Sequence, residues 1–255
     1  MGDIVDRAKK IEKQYGVIVI VFSWPANGGG IIGTISYKSD KRDAKASTCA
    51  LERTLHTFHE YLRLITESRR SELYKAASEK YPDNPERKEM LFSKLLKKEC
   101  PFTVNALFHS MGNYLYKQML KSTITEGGGL IFDNVILAAA DTNNFDHSLW
   151  VDRIAFRKRC FITINENDRA LGVSRIKSGY EQLARLGHSL RNLNSRNAHY
   201  INFTNAPWVK DSHSYFANSS VKKNAKVHKF FQRAFSGESA EDELYFHAEG
   251  NWFSF

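Results

Sequence analysis

A serine, an acid and a histidine, each standing just after a β-rich run, carry the chemistry that this 255-residue sequence could perform. Ser110 lies in Phe108-His109-Ser110-Met111-Gly112, where a β-rich run over Phe102–His109 gives way at once to a helical pattern over Gly112–Ser122. A serine on so sharp a turn has its Oγ lifted above the sheet edge, and the first helical N–H groups point at an oxyanion forming beside it. Small residues two places before and two after such a serine let strand and helix approach. Gly112 meets the second requirement and Phe108 stands in place of the first, so the G-x-S-x-G pattern is half met. A serine that simply caps a helix explains the motif alone equally well. Asp168 follows the run Cys160–Ile164, and His213 follows the run His199–Thr204. Serine, acid and histidine in that order at three strand ends suit acyl transfer. The imidazole takes the serine proton, and the carboxylate fixes its tautomer and stabilises it once charged.

Other residues compete for these roles. Asp141, ending the run Val135–Ala140, is an alternative acid or a carboxylate lining the site. His109 adjoins the serine, but strand alternation sends its side chain to the opposite face, where packing or hydrogen bonding is expected. Trp24 and Tyr37 are candidates to line an acyl pocket, against the commoner reading of aromatic core residues. Gly28-Gly29-Gly30-Ile31-Ile32-Gly33 satisfies G-x-G-x-x-G, yet no helix opens directly after it, so dinucleotide binding is disfavoured. Histidine and cysteine spacings make no zinc pattern, and neither a metal nor an organic cofactor is implied.

The elements that must position these residues alternate between short β-rich runs and longer helical ones, the pattern of a parallel sheet with helices on its faces. Ile4, Ala8, Ile11 and Tyr15 keep helical spacing up to Gly16, a stop signal. Val17–Phe22 is a continuous, mostly β-branched run expected as a strand buried on both faces. A helix is expected from Asp40 to about Thr66, then a charged helical excursion over about 68–100, broken by Pro82 and Pro85, as a cap over the site. Asn134–Ala140, Cys160–Ile164 and a last strand at His199–Thr204 follow, with helices over Ser178–Leu186 and Val221–Phe235. With no repeat and no low-complexity linker, one domain over 1–255 is the simplest count.

Composition narrows the classes. An apolar share of 42% and a charged share of 25% are those of a globular protein with a full core. The longest apolar run is too short to cross a bilayer, and the charged N-terminus is no signal peptide, so a cytoplasmic location is expected. Cys49, Cys100 and Cys160 are scattered and read as buried or half-buried thiols in a reducing compartment. The formal charge of +9 is spread over helical segments as solvated faces, so no specific nucleic-acid partner is expected.

Several stretches together resemble the α/β-hydrolases of unknown function within the esterase/lipase superfamily. They are Phe22-Ser23-Trp24-Pro25, then Tyr37, Asp40, Ala44 and Ser47, His109-Ser110-Met111-Gly112-Asn113, Val135 to Asp141, Asn167-Asp168 with Ala170-Leu171 and Ser174, and His213-Ser214-Tyr215-Phe216. The resemblance implies an α/β-hydrolase-like three-layer sandwich, doubly wound around a mostly parallel sheet. It implies a triad on Ser110, Asp168 and His213, with the Met111 N–H as an oxyanion donor. Members of the family normally carry an earlier strand and a His-Gly loop that supplies the other half of the oxyanion hole, and this sequence opens at the helix after them. The expected function is hydrolysis of a carboxylic ester or related small acyl substrate. The alternatives are a catalytically impaired hydrolase fold serving as a binding module and, more weakly, an anion- or nucleotide-binding protein using the glycines near Gly28.

Overall fold

The structure, a computed structural model, describes residues 2–25, 39–99, 103–122, 130–176 and 183–255. Tyr37, Cys100 and the glycine runs at 28–33 and 127–129 lie outside the described residues. Residues Met1–Leu51 with Val104–Phe255 form one compact unit, and Glu52–Thr103 form a second.

The first unit is built on a six-stranded sheet. Its strands are β1 (Ala106–His109), β2 (Asn134–Ala138), β3 (Arg159–Ile164), β4 (Ala198–Asn202), β5 (Tyr245–His247) and β6 (Trp252–Ser254), in the order β1-β2-β3-β4-β6-β5. All neighbours run parallel except the β5–β6 hairpin. Register places Leu107, Ile136 and Phe161 side by side, and Phe108, Leu137, Ile162 and Tyr200 side by side on the other face. The first row belongs to a core closed by α1 (Gly2–Tyr15), through Ile11 and Tyr15, and by α8 (Ala225–Phe235), through Val227, Phe230, Phe231 and Ala234. On the second face, Phe108 stacks on Tyr116 of α4 (Met111–Ser122), ring centroids 3.9 Å apart. The short helix α5 (Ser148–Val151) follows β2 in the chain. Helices on both faces of a mostly parallel sheet make an α/β sandwich, as the alternating pattern predicts.

Several expectations need correction. Val17–Phe22 is not a strand: Val17 and Val19 pack against the core, but Ile18 is 92% and Ile20 72% exposed. Its one hydrogen bond among those between described residues is Val19 N–H to Glu12 Oε1, and among these residues the sheet ends at β1, with no partner strand for this run. The helix expected over Ser178–Leu186 is absent where that span is described, at 183–185, and a 3-10 turn, Leu186–His188, follows. His199–Thr204 is not the last strand, since β6 adds to β4 beyond it. The closing helix is also two helices. Asn224, with extended backbone, caps α8 by accepting from Lys226 N–H and Val227 N–H, and so ends α7 (Ser219–Lys223) before it. Cys160 is buried as expected, whereas Cys49 is exposed.

In the second unit, the helix that begins in the first as α2 (Thr48–Lys80) runs on through residue 68 without a break. Asn84 then accepts from Arg87 N–H at the start of α3 (Pro85–Glu99), and Leu73, Ala77 and Phe92 form a small core between the two helices. Among the described residues, no helix is long and apolar enough to cross a membrane.

Candidate active site

β1 ends at His109, and Ser110 turns the chain into α4 with φ +53°, a left-handed conformation that non-glycine residues rarely take. The turn is held from several sides. Ser110 N–H donates to Ala138 O at 3.0 Å, and Asn113 N–H and Asp141 N–H both donate to Ser110 O. The Asn113 side chain, wholly buried, donates through Nδ2 to the carbonyls of Phe108 (2.8 Å), Ser110 (3.1 Å) and Ala138 (3.2 Å). Serine thus sits at the C-terminal edge of a parallel sheet, where open α/β folds bind ligands. Met111 opens α4, so its N–H belongs to the first turn, whose donors have no acceptor within the helix.

Phe108, in place of the usual small residue, lies flat on Tyr116 of the helix that follows. A Cβ at Gly112 would meet only the Trp24 ring, at 3.5 Å, an ordinary contact. The Trp24 indole N–H is buried and has no acceptor among the described residues.

Asp168 caps α6 (Arg169–Ile176) with one carboxylate oxygen, Oδ1, which accepts from Ala170 N–H and Leu171 N–H. Its other oxygen, Oδ2, lies 2.7 Å from His213 Nδ1. The carboxylate is fully buried, while the imidazole keeps 25% of its side-chain surface exposed. The loop carrying His213 is tied to the end of β3 by Asn165, whose Nδ2 donates to Lys210 O and Ser212 O. The His213 ring lies 4.6 Å, centroid to centroid, from the His109 ring, the residue directly before Ser110. Asp168 and His213 are therefore joined directly, and His213 lies against the residue that precedes Ser110.

A family model described as alpha/beta hydrolase of unknown function (DUF900) matches the chain over residues 2–74 and 68–221. The chain belongs to this family. No curated protein and no solved structure matches it.

Within this α/β-hydrolase, Asp141 and Asp168 occupy different surroundings. Asp141 Oδ1 accepts from Ser174 Oγ at 2.7 Å and lies 3.1 Å from Arg185 Nε, both partners buried. His213 is brought to Asp168 and not to Asp141. His109 does point away from the α4 side, as strand alternation predicts, toward α1 and Phe216. Burial, the neighbouring His213 and the Arg7 cation together hold its pKa well below the ordinary histidine value.

Asn113, Arg185 and Arg7 escaped sequence reasoning as parts of this site. Asn113 carried a signal, an Asn three residues after a turn serine, the spacing at which a side chain reaches back to a helix start. Arg185 and Arg7 are separated from their partners by 44 and 102 residues, and no local pattern joins them. Among the described residues, no group of His, Cys, Asp and Glu side chains could hold a metal ion.

Proposed function

We propose that this α/β-hydrolase cleaves a carboxylic ester or related acyl substrate through a covalent acyl-enzyme on Ser110. The observation that carries the reading is an imidazole paired through Nδ1, at 2.7 Å, with a buried carboxylate and packed against His109, the residue that leads into the strained Ser110 turn. Asp168 accepts a hydrogen bond from Nδ1–H of His213, which keeps the proton there and leaves Nε2 as the basic nitrogen. That nitrogen takes the Ser110 proton as Oγ bonds to the acyl carbon, and the carbonyl electrons move onto oxygen beside the Met111 N–H. Collapse expels the alcohol, which takes the proton back from His213. Water, activated by the same imidazole, then releases the acid and frees Ser110.

A second reading, a catalytically impaired hydrolase fold acting as a binding module, is favoured by one observation: Ser110 Oγ makes no hydrogen bond among those of the described residues. Contacts of this kind commonly tighten only when substrate is bound.

Hydrolysis of a short p-nitrophenyl ester separates the two. The expected result is turnover that falls ~10⁴-fold or more in Ser110→Ala and His213→Ala, and ~10⁴-fold in Asp168→Asn. Turnover that is absent from the folded protein, or unchanged in Ser110→Ala, contradicts the acyl-enzyme.

A further inference from the structure

His109 has no part in the chemistry above, yet it is bound on both ring nitrogens. Arg7 Nη1, from α1, lies 3.2 Å from Nδ1, and the backbone carbonyl of His213 lies 2.9 Å from Nε2. A guanidinium can only donate and a carbonyl can only accept. One state of the ring satisfies both contacts: neutral, with Nδ1 bare toward Arg7 and Nε2–H donating to His213. The ring also packs against the rings of His213, at 4.6 Å, and Phe216, at 5.0 Å, so its plane as well as its tautomer is held.

We propose that Arg7 and His109 are positioning residues that anchor the backbone of His213 and reserve the proton taken from Ser110 for the His213 imidazole. The inference rests on the acyl-transfer reading. Two imidazoles this close cannot both be protonated cheaply, so a proton resting on His109 would oppose the one that His213 takes from the serine. Proton uptake on His109 would turn an N–H toward the Arg7 guanidinium, replacing a hydrogen bond with a repulsion. The charged and titratable groups facing the pair are Arg7 from α1 on the His109 side and Asp168 on the His213 side. The cation stands at the ring that must stay neutral and the carboxylate at the ring that must become charged.

The test is the second-order rate of Ser110 labelling by a fluorophosphonate, measured against pH for the unaltered chain, H109L, H109Q, R7M and S110A. Leucine at 109 removes the donor to His213 O, and labelling slows about 10- to 100-fold, the scale expected for a misplaced catalytic group. Glutamine can still donate to that carbonyl and restores most of the lost rate. Methionine at 7 removes the cation that disfavours protonation of His109, so His109 charges at higher pH and the acidic limb of the profile moves with it. A side chain that served packing alone would give neither the glutamine rescue nor the moved limb. The inference is overturned if the unaltered chain labels at Ser110 while folded H109L matches its rate, or while the R7M profile superimposes on its own. Should H109L not fold, H109Q and R7M decide alone. If the unaltered chain does not label, or S110A labels equally well, the acyl-transfer reading fails and takes this inference with it.

Discussion

At Ser110 a left-handed backbone costs about 1–3 kcal/mol, and Asn113 is the side chain best placed to sustain it. Its amide nitrogen reaches three carbonyls, on both limbs of the turn and on the neighbouring strand β2. Asn113→Ala strips that support and leaves buried carbonyls with fewer donors. The expected cost is about 1–3 kcal/mol, read by chemical denaturation, together with slower fluorophosphonate labelling because the serine is no longer held. Unchanged stability in this variant would mean that the neighbouring backbone holds the turn by itself. Ser110, Met111 and Gly112 were legible in the sequence because the strand, the turn and the helix are contiguous there. The pairing of Asp168 with His213 was reached through order and strand ends. The competing Asp141 looked equivalent along the chain, since Arg185 and Ser174, which engage it, approach only when the sheet is assembled.

Among the elements, the short 3-10 turn at Leu186–His188 has a role out of proportion to its length. Gly187 N–H donates to Ala140 O after β2, while Gly187 O accepts from Asn165 N–H after β3, so one residue bridges the ends of two strands that carry the site. A Cβ there would stand 2.3 Å from Ala140 N and 2.5 Å from Ala139 C, both backbone atoms that cannot move aside cheaply. Gly187→Ala is therefore expected to destabilise by about 3 kcal/mol, with loss of ester turnover in whatever fraction stays folded. A melting midpoint equal to that of the unaltered chain would contradict the close approach. The buried runs of β2 and β3 were readable because strands covered on both faces need continuous apolar sequence. The same rule misread Val17–Phe22, whose composition is that of a central strand but which pairs with no strand among the described residues. Composition reports what a segment could bury, and strand pairing depends on what else is present beside it.

Across the whole molecule, the strand ends opposite the site are clamped by one carboxylate. Asp133 accepts from Val104 N–H and from Arg157 Nε and Nη2, and Arg157 also donates to Leu130 O and Ile131 O. Burial pushes the Asp133 pKa up, but the Arg157 and Val104 hydrogen bonds and the Arg157 and Lys158 charges outweigh it, and the net shift is downward. A carboxylate with a lowered folded pKa contributes stability that is complete above its unfolded value, about 4, and is lost as pH falls through the folded one. The unaltered chain should thus lose more stability between pH 7 and pH 3 than Asp133→Asn, the two converging at the acid end. Parallel curves would deny the clamp its charge. Several basic residues are paired with acids on this scale: Arg159 with Glu241, Lys229 with Glu243, and Arg233 with Glu238 and Asp242. The layered α/β architecture was legible from the alternation of elements, whereas the C-terminal hairpin was not, because three-residue strands leave too short a pattern to read. The central claim, that Ser110 is a nucleophile served by His213, is tested most directly by mapping a fluorophosphonate adduct by peptide mass spectrometry. The expected result is a single adduct on Ser110, absent in Ser110→Ala and strongly reduced in His213→Ala. An adduct elsewhere with none on Ser110, or labelling of Ser110 that is indifferent to His213, would contradict it.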